Sequence, residues 1–258
     1  MRIILPITLI TCLLLPDALQ AQSAPLVDQL IARGDMADRA FKPATALKDY
    51  LPAEKIDPAN VPLLLRIARQ YRNLLSDAKT DAEKLRFGNL SLGYALRAAK
   101  LAPLNSEAQL SPAITYGKML PYQTKQQQYD ESAIIKAATD SALKLDPLND
   151  NAWHVLGRWH QGLAGVGSFK RAIGSAIYGP LPASTYEEAV TCFDKAIAIN
   201  PKRLRHHIEL GKTYALMDKC VAARRHLEAG IAMMETEKED AEMKVKGREV
   251  LAALPKDP

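Results

Sequence analysis

The 258-residue sequence predicts an all-α fold, a right-handed superhelix of about five helix pairs with insertions between helices and a C-terminal capping helix. Three observations point there: the composition, four recurring proline phrases, and large and small residues repeating at helical spacings. The chain is 48% hydrophobic but only 6% aromatic, and Ala and Leu recur throughout. Ala lets helix backbones approach closely, and no long β-branched run exists to build a sheet.

Four phrases end alike: Lys55-Ile56-Asp57-Pro58, Lys100-Leu101-Ala102-Pro103, Lys144-Leu145-Asp146-Pro147 and Ala198-Ile199-Asn200-Pro201. Each follows an Ala-rich helical stretch and precedes another apolar helical pattern. Proline cannot continue a helix, so each marks the turn from one helical pair to the next. Between them runs the tetratricopeptide pattern W-x2-L-G-x2-Y, then A-x3-F, then P.

The elements follow in chain order. Residues 1–21 open with Met1-Arg2, continue apolar from Ile3 to Leu15 and close on Ala21, the pattern of a cleaved signal peptide. Leu9-Ile10-Thr11-Cys12 outlines a lipoprotein signal, but Thr11 stands where a small residue is needed. Residues 22–258 form the repeat domain, with no membrane-spanning segment after signal removal. Its repeats are expected at about 27–60, 61–105, 106–149, 150–203 and 204–237, with a polar cap at 238–254.

The first repeat offers Leu30, Gly34, Ala46, Tyr50, Ala53 and Pro58. The fourth fits the pattern best, with Trp153, Leu156 and Gly157, then Ala189, Phe193, Ala196 and Pro201. The fifth has Leu210, Gly211, Tyr214, Ala223 and Leu227. Gly and Ala belong where two helices touch, while Trp, Leu, Tyr and Phe fill the space between pairs. The two middle repeats fit loosely, through Ile67, Ala68, Tyr71, Ala95 and Ala98, then Ala113, Tyr116 and Ala142. The prolines lie further apart than the usual period of about 34 residues. Extra residues are therefore expected between helices at 75–87, 120–129 and 161–182.

The net charge is +5, with 34 Lys and Arg interleaved with 29 Asp and Glu. This is the pattern of solvated helix faces, not a basic stripe with aromatics between, so nucleic acid is not an expected partner. Cys192 and Cys220 fall at non-equivalent repeat positions and are expected as two buried free thiols. No metal site is expected: HExxH is absent, His154 and His160 are six apart, and His206 and His207 are adjacent. The glycines at 162, 165, 167, 174 and 179 follow no strand and carry no GK[ST], so they read as a loop or short helix covering the groove. No nucleophile elbow or rigid carboxylate pair appears. The sequence predicts no cofactor and no enzyme.

In this repeat class partners lie along the surface lined by the first helix of each pair. Counting along those helices places Arg69, Arg72, His154, Arg158, Arg205 and Lys212 there, a weakly basic groove suited to an acidic segment or a C-terminal carboxylate. Asp28, Asp35 and Asp38 make the first repeat the acidic exception.

Several phrases resemble the regulator of microtubule dynamics family over roughly Leu26 to Leu254. They are Arg171-Ala172-Ile173, then Pro180-Leu181-Pro182-Ala183-Ser184-Thr185-Tyr186-Glu187-Glu188-Ala189, Leu210-Gly211-Lys212-Thr213-Tyr214 and Arg66-Ile67-Ala68-Arg69. The resemblance implies a helical repeat domain without enzymatic activity, whose animal members are associated with microtubules, the spindle and mitochondrial or endoplasmic-reticulum contacts. The signal-like start departs from many of them. A chain exported to a periplasm or medium would not meet a microtubule, so the fold transfers and the partner does not. The expected function is a non-enzymatic scaffold binding a peptide or protein on its concave surface; the alternative is a structural spacer in an envelope or secretion assembly. Without export, a cytoplasmic or microtubule-associated place is the alternative.

Overall fold

The computed structural model describes residues 16–255, with side-chain surroundings from Pro25 onward except at Phe169. The signal segment read over 1–21 lies outside the described residues, except for Pro16 onward, which begins the first helix. Among the described residues all regular structure is helical, as the composition required.

The helices pair in chain order. Helix α1 (Pro16–Arg39) packs on α2 (Pro43–Ile56), α3 (Val61–Asp77) on α4 (Asp81–Leu101), and α5 (Ser106–Met119) on α6 (Lys125–Leu145). Then α7 (Asp150–Ala164) packs on α9 (Tyr186–Ile199), with α8 (Ser168–Tyr178) between them in sequence. Helices α10 (Leu204–Leu216) and α11 (Cys220–Ala232) form the fifth pair, and α12 (Asp240–Ala253) packs on both.

The turns between pairs explain the proline phrases. After Pro58, Pro103 and Pro147 an Asn follows two residues later and caps the next helix. Asn60 accepts from the Leu63 amide at 3.0 Å, Asn105 from Ala108 at 2.9 Å and Asn149 from Ala152 at 2.9 Å. Each bond satisfies one of the amides a helix start leaves without an intrahelical partner. After Pro201 the equivalent residue is Arg203, whose side chain makes no cap and reaches elsewhere. Three second helices begin with reciprocal capping boxes: Thr80 with Glu83, Thr124 with Gln127 and Thr185 with Glu188.

Within pairs the small residues stand at close approaches. A Cβ on Gly34 would lie 2.3 Å from the Tyr50 ring, and one on Gly157 would lie 2.8 Å from Phe193. Gly211 meets Leu227 and the Ala223 carbonyl in the same way. Tyr50, Phe193, Ala46, Ala189, Ala196 and Ala223 are fully buried, Leu156 is buried, and Tyr214 packs against Phe193 and Leu210.

Several expectations are corrected. The extra residues of the middle repeats lengthen helices instead of filling loops: α4 and α6 have 21 residues each. Only Ala78–Thr80 separates α3 from α4. Trp153 stands outside the pair's seam, its indole donating to the Pro147 carbonyl at 2.9 Å with the Lys195 ammonium 4.0 Å above the ring. The space is taken by Phe193, with the His154 ring edge-on to it at 5.5 Å. Cys192 and Cys220 are both free, but only Cys192 is buried; Cys220 is half-exposed at the start of α11. The cap is less polar than expected, since Met243, Val250, Leu251 and Leu254 pack on Leu204, Ile208 and Leu227. It also begins at Asp240, so 237–239 are not helical.

Candidate functional site: a basic groove closed by an acidic strap

The first helices α1, α3, α5, α7 and α10 line a groove of about 720 Å3, and the connector between α11 and α12 crosses it. Helix α3 supplies one wall, because Arg66, Arg69 and Arg72 follow at three-residue spacing and share a face. Arg66 bonds Asp35 at 2.8 Å, and Arg69 pairs with Asp38, which also accepts from Gln70 at 2.9 Å. The acidic first repeat thus neutralises the start of the wall. The Asp35 carboxyl is held below its usual range: burial opposes this, but the Tyr50 hydroxyl and Arg66 outweigh it.

Arg72 lies deeper and is buried. Its guanidinium donates to Ser111 at 3.2 Å and Thr115 at 3.3 Å, hydroxyls of α5. Burial pushes its pKa down to about 10, with Glu239 opposing. It is still a cation at pH 7, a buried charge on the groove floor. Further along, Lys118 of α5, Arg203 just before α10 and Arg205 within it continue the basic lining.

Those cations meet the connector, residues 233–239, which we term the strap. Glu237 takes Arg203 at 2.8 Å on one oxygen and Arg205 on the other. Glu239 pairs with Lys118 and accepts from the Ser76 hydroxyl at 3.0 Å. Lys238 bonds Asp77 at 2.7 Å. The strap therefore joins the fifth pair back to the second and third across the groove. The Glu239 carboxyl is held low, since Lys118 outweighs its burial.

The six candidate partner-binding positions divide. Arg69, Arg72 and Arg205 line the groove, whereas His154, Arg158 and Lys212 are absent from its lining. The latter three belong to the α7–α10 junction, where buried Glu209 accepts from Arg158 at 2.6 Å and from Lys212 at 2.8 Å. Burial raises the Glu209 pKa, but the two cations overcome this and leave it lowered. Beside them His154 Nδ1 lies 3.0 Å from His206 Nδ1, and His206 Nε2 lies 2.9 Å from Asp150. Burial first, then neighbouring positive charge, keeps His154 well below its usual value. Asp150 is held down to about 2, because the His206 and Arg203 contacts outweigh its burial.

Counting helix positions missed Lys118, Arg203, Glu237 and Glu239. Lys118 was within reach, since Ser111, Thr115 and Lys118 share a face of α5 by the same spacing that selected Arg69 and Arg72. Arg203 stands where the other repeats have a capping Asn, a break in the pattern itself. The glycine-rich insertion does not cover the groove. None of the lining residues comes from α8, and Tyr178 instead packs on Tyr129 of α6, ring to ring at 5.9 Å. Among the described residues no group of His, Cys, Asp and Glu is placed to hold a metal, and no helix is long and apolar enough to cross a membrane.

Known proteins share this architecture. The regulator of microtubule dynamics protein 1-3 family model matches residues 27–255. Regulator of microtubule dynamics protein 1 of Mus musculus is 30% identical over 195 residues, which are 74% of this chain and 64% of the relative. Regulator of microtubule dynamics protein 2 of Macaca fascicularis is 23% identical, over 75% of this chain and 48% of the relative. The chain thus spans about half to two thirds of the length of these relatives. A thermophilic TPR protein of Thermus thermophilus superposes with a TM-score of 0.61 at 14% identity, covering 88% of this chain and 99% of that one, which is a likeness of fold. By the match over 27–255, this chain belongs to the regulator of microtubule dynamics protein 1-3 family.

Proposed function

We propose that the chain is a non-enzymatic scaffold that holds an acidic segment of a partner protein in the groove lined by its first helices. The observation that carries this is the groove's basic lining, with Lys118, Arg203 and Arg205 paired to carboxylates of the strap and Arg72 buried in the floor beside them. Charge-assisted hydrogen bonds of this kind recognise carboxylate-rich peptides, and a stack of helix pairs presents them along a continuous surface. The relatives are named for regulating microtubule dynamics, which makes microtubules the partner to try for the alternative in which the chain is not exported.

The test is capture by the full chain, from host-cell extract and from purified microtubules, at low and moderate salt. Capture is expected to weaken at higher salt. It should be lost in Arg69→Glu/Arg205→Glu and kept in Arg248→Glu, a change at an exposed position of α12 away from the groove. Capture indifferent to the groove substitutions would overturn the reading. It would favour a structural spacer, which one observation supports: Arg66, Arg69, Arg203 and Arg205 are already paired within the chain. Export through 1–21 belongs to the same proposal. A protein recovered with Gln22 at its N-terminus supports it, and one that retains Met1 overturns it.

A further inference from the structure

From the contacts of the strap we infer that it is a displaceable resident of the groove, and that the partner the groove takes is an acidic peptide whose carboxylates, two residues apart, replace Glu237 and Glu239. This rests on the reading of the groove as a binding site and names what that site accepts.

The strap holds its place by few bonds. Residues 233–236 have no regular structure and 237–239 form only a turn, so the helical ladder reaches only Glu239, whose carbonyl accepts from the Met243 amide at 2.9 Å. The amides of Thr236 and Glu237 are held by one carboxylate oxygen of buried Asp240, at 2.7 and 2.8 Å. Beyond that, Met233 packs on the core of Leu204, Ile208 and Leu227, and the rest of the attachment is electrostatic: Glu235 on Lys244, Glu237 on Arg203 and Arg205, Glu239 on Lys118 and Ser76, Lys238 on Asp77. Met234 and Glu235 are exposed. A segment with few apolar contacts and mostly polar anchors opens more easily than the helices around it.

The groove left behind is made for anions. With the strap withdrawn, seven Lys and Arg side chains line it against three carboxylates. Apart from Arg39 at the end of α1, those cations lie on α3, on α5 and at the start of α10, so the field favours an acidic occupant over a neutral one. Two features show that the strap does not exhaust the site. The Nε of Arg205 is buried and has no acceptor among the described residues. The groove also keeps about 720 Å3 beside the strap, bordered by Arg69 and Arg72. A partner peptide longer than the strap can use that space and supply another acceptor. The intramolecular occupant then sets a threshold, because an incoming peptide binds only the fraction of molecules whose groove is open.

The experiment uses the full chain and a fluorescein-labelled synthetic peptide of residues 233–240, followed by anisotropy. The double variant Glu237→Gln/Glu239→Gln weakens the tethered competitor and leaves the groove untouched. If the groove is open about a tenth of the time or less, the variant binds the peptide about tenfold tighter than the wild-type chain or more. Adding Lys118→Ala to the double variant should abolish that gain. Equal affinity for both proteins, or no binding to the double variant, overturns the inference. Hydrogen exchange of the wild-type chain gives a second readout that needs no variant. The Thr236 and Glu237 amides should exchange much faster than those of α10; protection equal to α10 would mark a permanent closure and overturn displacement. Failure here is separable from failure of the proposed function. Capture that still depends on Arg69 and Arg205, with a strap that never yields, removes only this inference.

Discussion

The outer and middle helix pairs are closed in different ways. In the first, fourth and fifth, a glycine on the leading helix receives a bulky side chain: Tyr50 on Gly34, Phe193 on Gly157, Leu227 on Gly211. In the second and third, Ala68 and Ala113 occupy the equivalent place, and much of the buried interior is polar. Ser91 donates to the Ala68 carbonyl at 2.9 Å and lies 3.0 Å from the Thr115 hydroxyl, which with Ser111 accepts from Arg72. The outer pairs are held by shape, the middle ones by a hydroxyl network that also keeps a cation in the groove floor. A buried arginine is tolerable only with its donors satisfied, so the polar seam and the basic groove are one construction.

If shape closes the outer pairs, deleting the knob should do the most damage. Phe193→Ala empties a fully buried site facing Gly157, Leu210 and Ala189. It should cost about 3–5 kcal/mol, read by urea unfolding. A loss under about 1 kcal/mol would show that the seam collapses around the gap and that glycine-on-ring packing does not set the stability of this pair.

Acid should separate the halves next. At the α7–α10 junction His206 Nε2–H donates to ionised Asp150, so its Nδ1 accepts from His154 Nδ1–H; that contact holds one proton, and the pair can take one more, on His154 Nε2, but not two. Both imidazoles have folded pKa values below 6.5, burial being the first cause. His226 is pushed down to about 4 by burial, then by Arg225 and His207. A depressed histidine contributes stability that is complete above pH 6.5 and lost as pH falls toward its folded value. Asp150 adds a term present above 3.8 and lost as pH falls through about 2. From that difference it is worth about 2 kcal/mol. Arg72 does not titrate in this range. Unfolding midpoints should therefore fall between pH 6.5 and 4, with exchange protection failing first in α7 and α10. Uniform loss across α3 to α10, or a flat profile from pH 7 to 4, would refute the assignment.

The polar seam gives a smaller, sharper effect. Thr115→Val keeps the volume but removes a hydroxyl that serves both Ser91 and Arg72. The cost should be roughly 1–2 kcal/mol, since a buried donor loses an acceptor. Peptide binding in the groove should weaken with it, because Arg72 loses a support. Val at the corresponding position of an outer pair has no such second effect.

The same contrast explains what could be read in the sequence. Glycine-on-ring seams leave a spacing signature, and Gly157 with Phe193 made the fourth repeat plain. A hydroxyl network has no fixed spacing, because Ser91, Ser111, Thr115 and Arg72 come from three helices and meet only in the fold. The middle repeats therefore looked divergent, and their extra residues were expected in loops when they lengthen α4 and α6. Arg69, Arg72 and Arg205 could be placed on the groove because a helix face follows from counting. His154, Arg158 and Lys212 obeyed the same count, yet buried Glu209 and Asp150 draw their neighbourhood into the α7–α10 junction. The strap was out of reach for a different reason. Its Glu and Lys residues suit a helix, so 238–239 read as the start of the cap, and only long-range contacts with Lys118, Arg203 and Arg205 show the strap's place.

Capping gives the last and smallest contrast. Leading helices after the first three turns have Asn caps and three partner helices have threonine boxes, but α10 and α11 begin at Arg203 and Lys219 without a side-chain cap. Arg203 forgoes that role because its guanidinium holds Asp150 and Glu237. Lys219 is exposed and the structure gives it no such duty. Its positive charge also lies at a helix start, where the macrodipole disfavours it. Lys219→Asp supplies both an acceptor for the first-turn amides and a favourable charge. It should stabilise the chain by about 0.5–1 kcal/mol without changing peptide binding. The equivalent change at Arg203 should destabilise, since the capping gain is set against two lost ion pairs, with Glu237 at the groove and Asp150 at the α7–α10 junction. Equal gains at both positions would mean that Arg203 contributes nothing there beyond a poor cap, and that the strap is held by Arg205 and Lys118 alone.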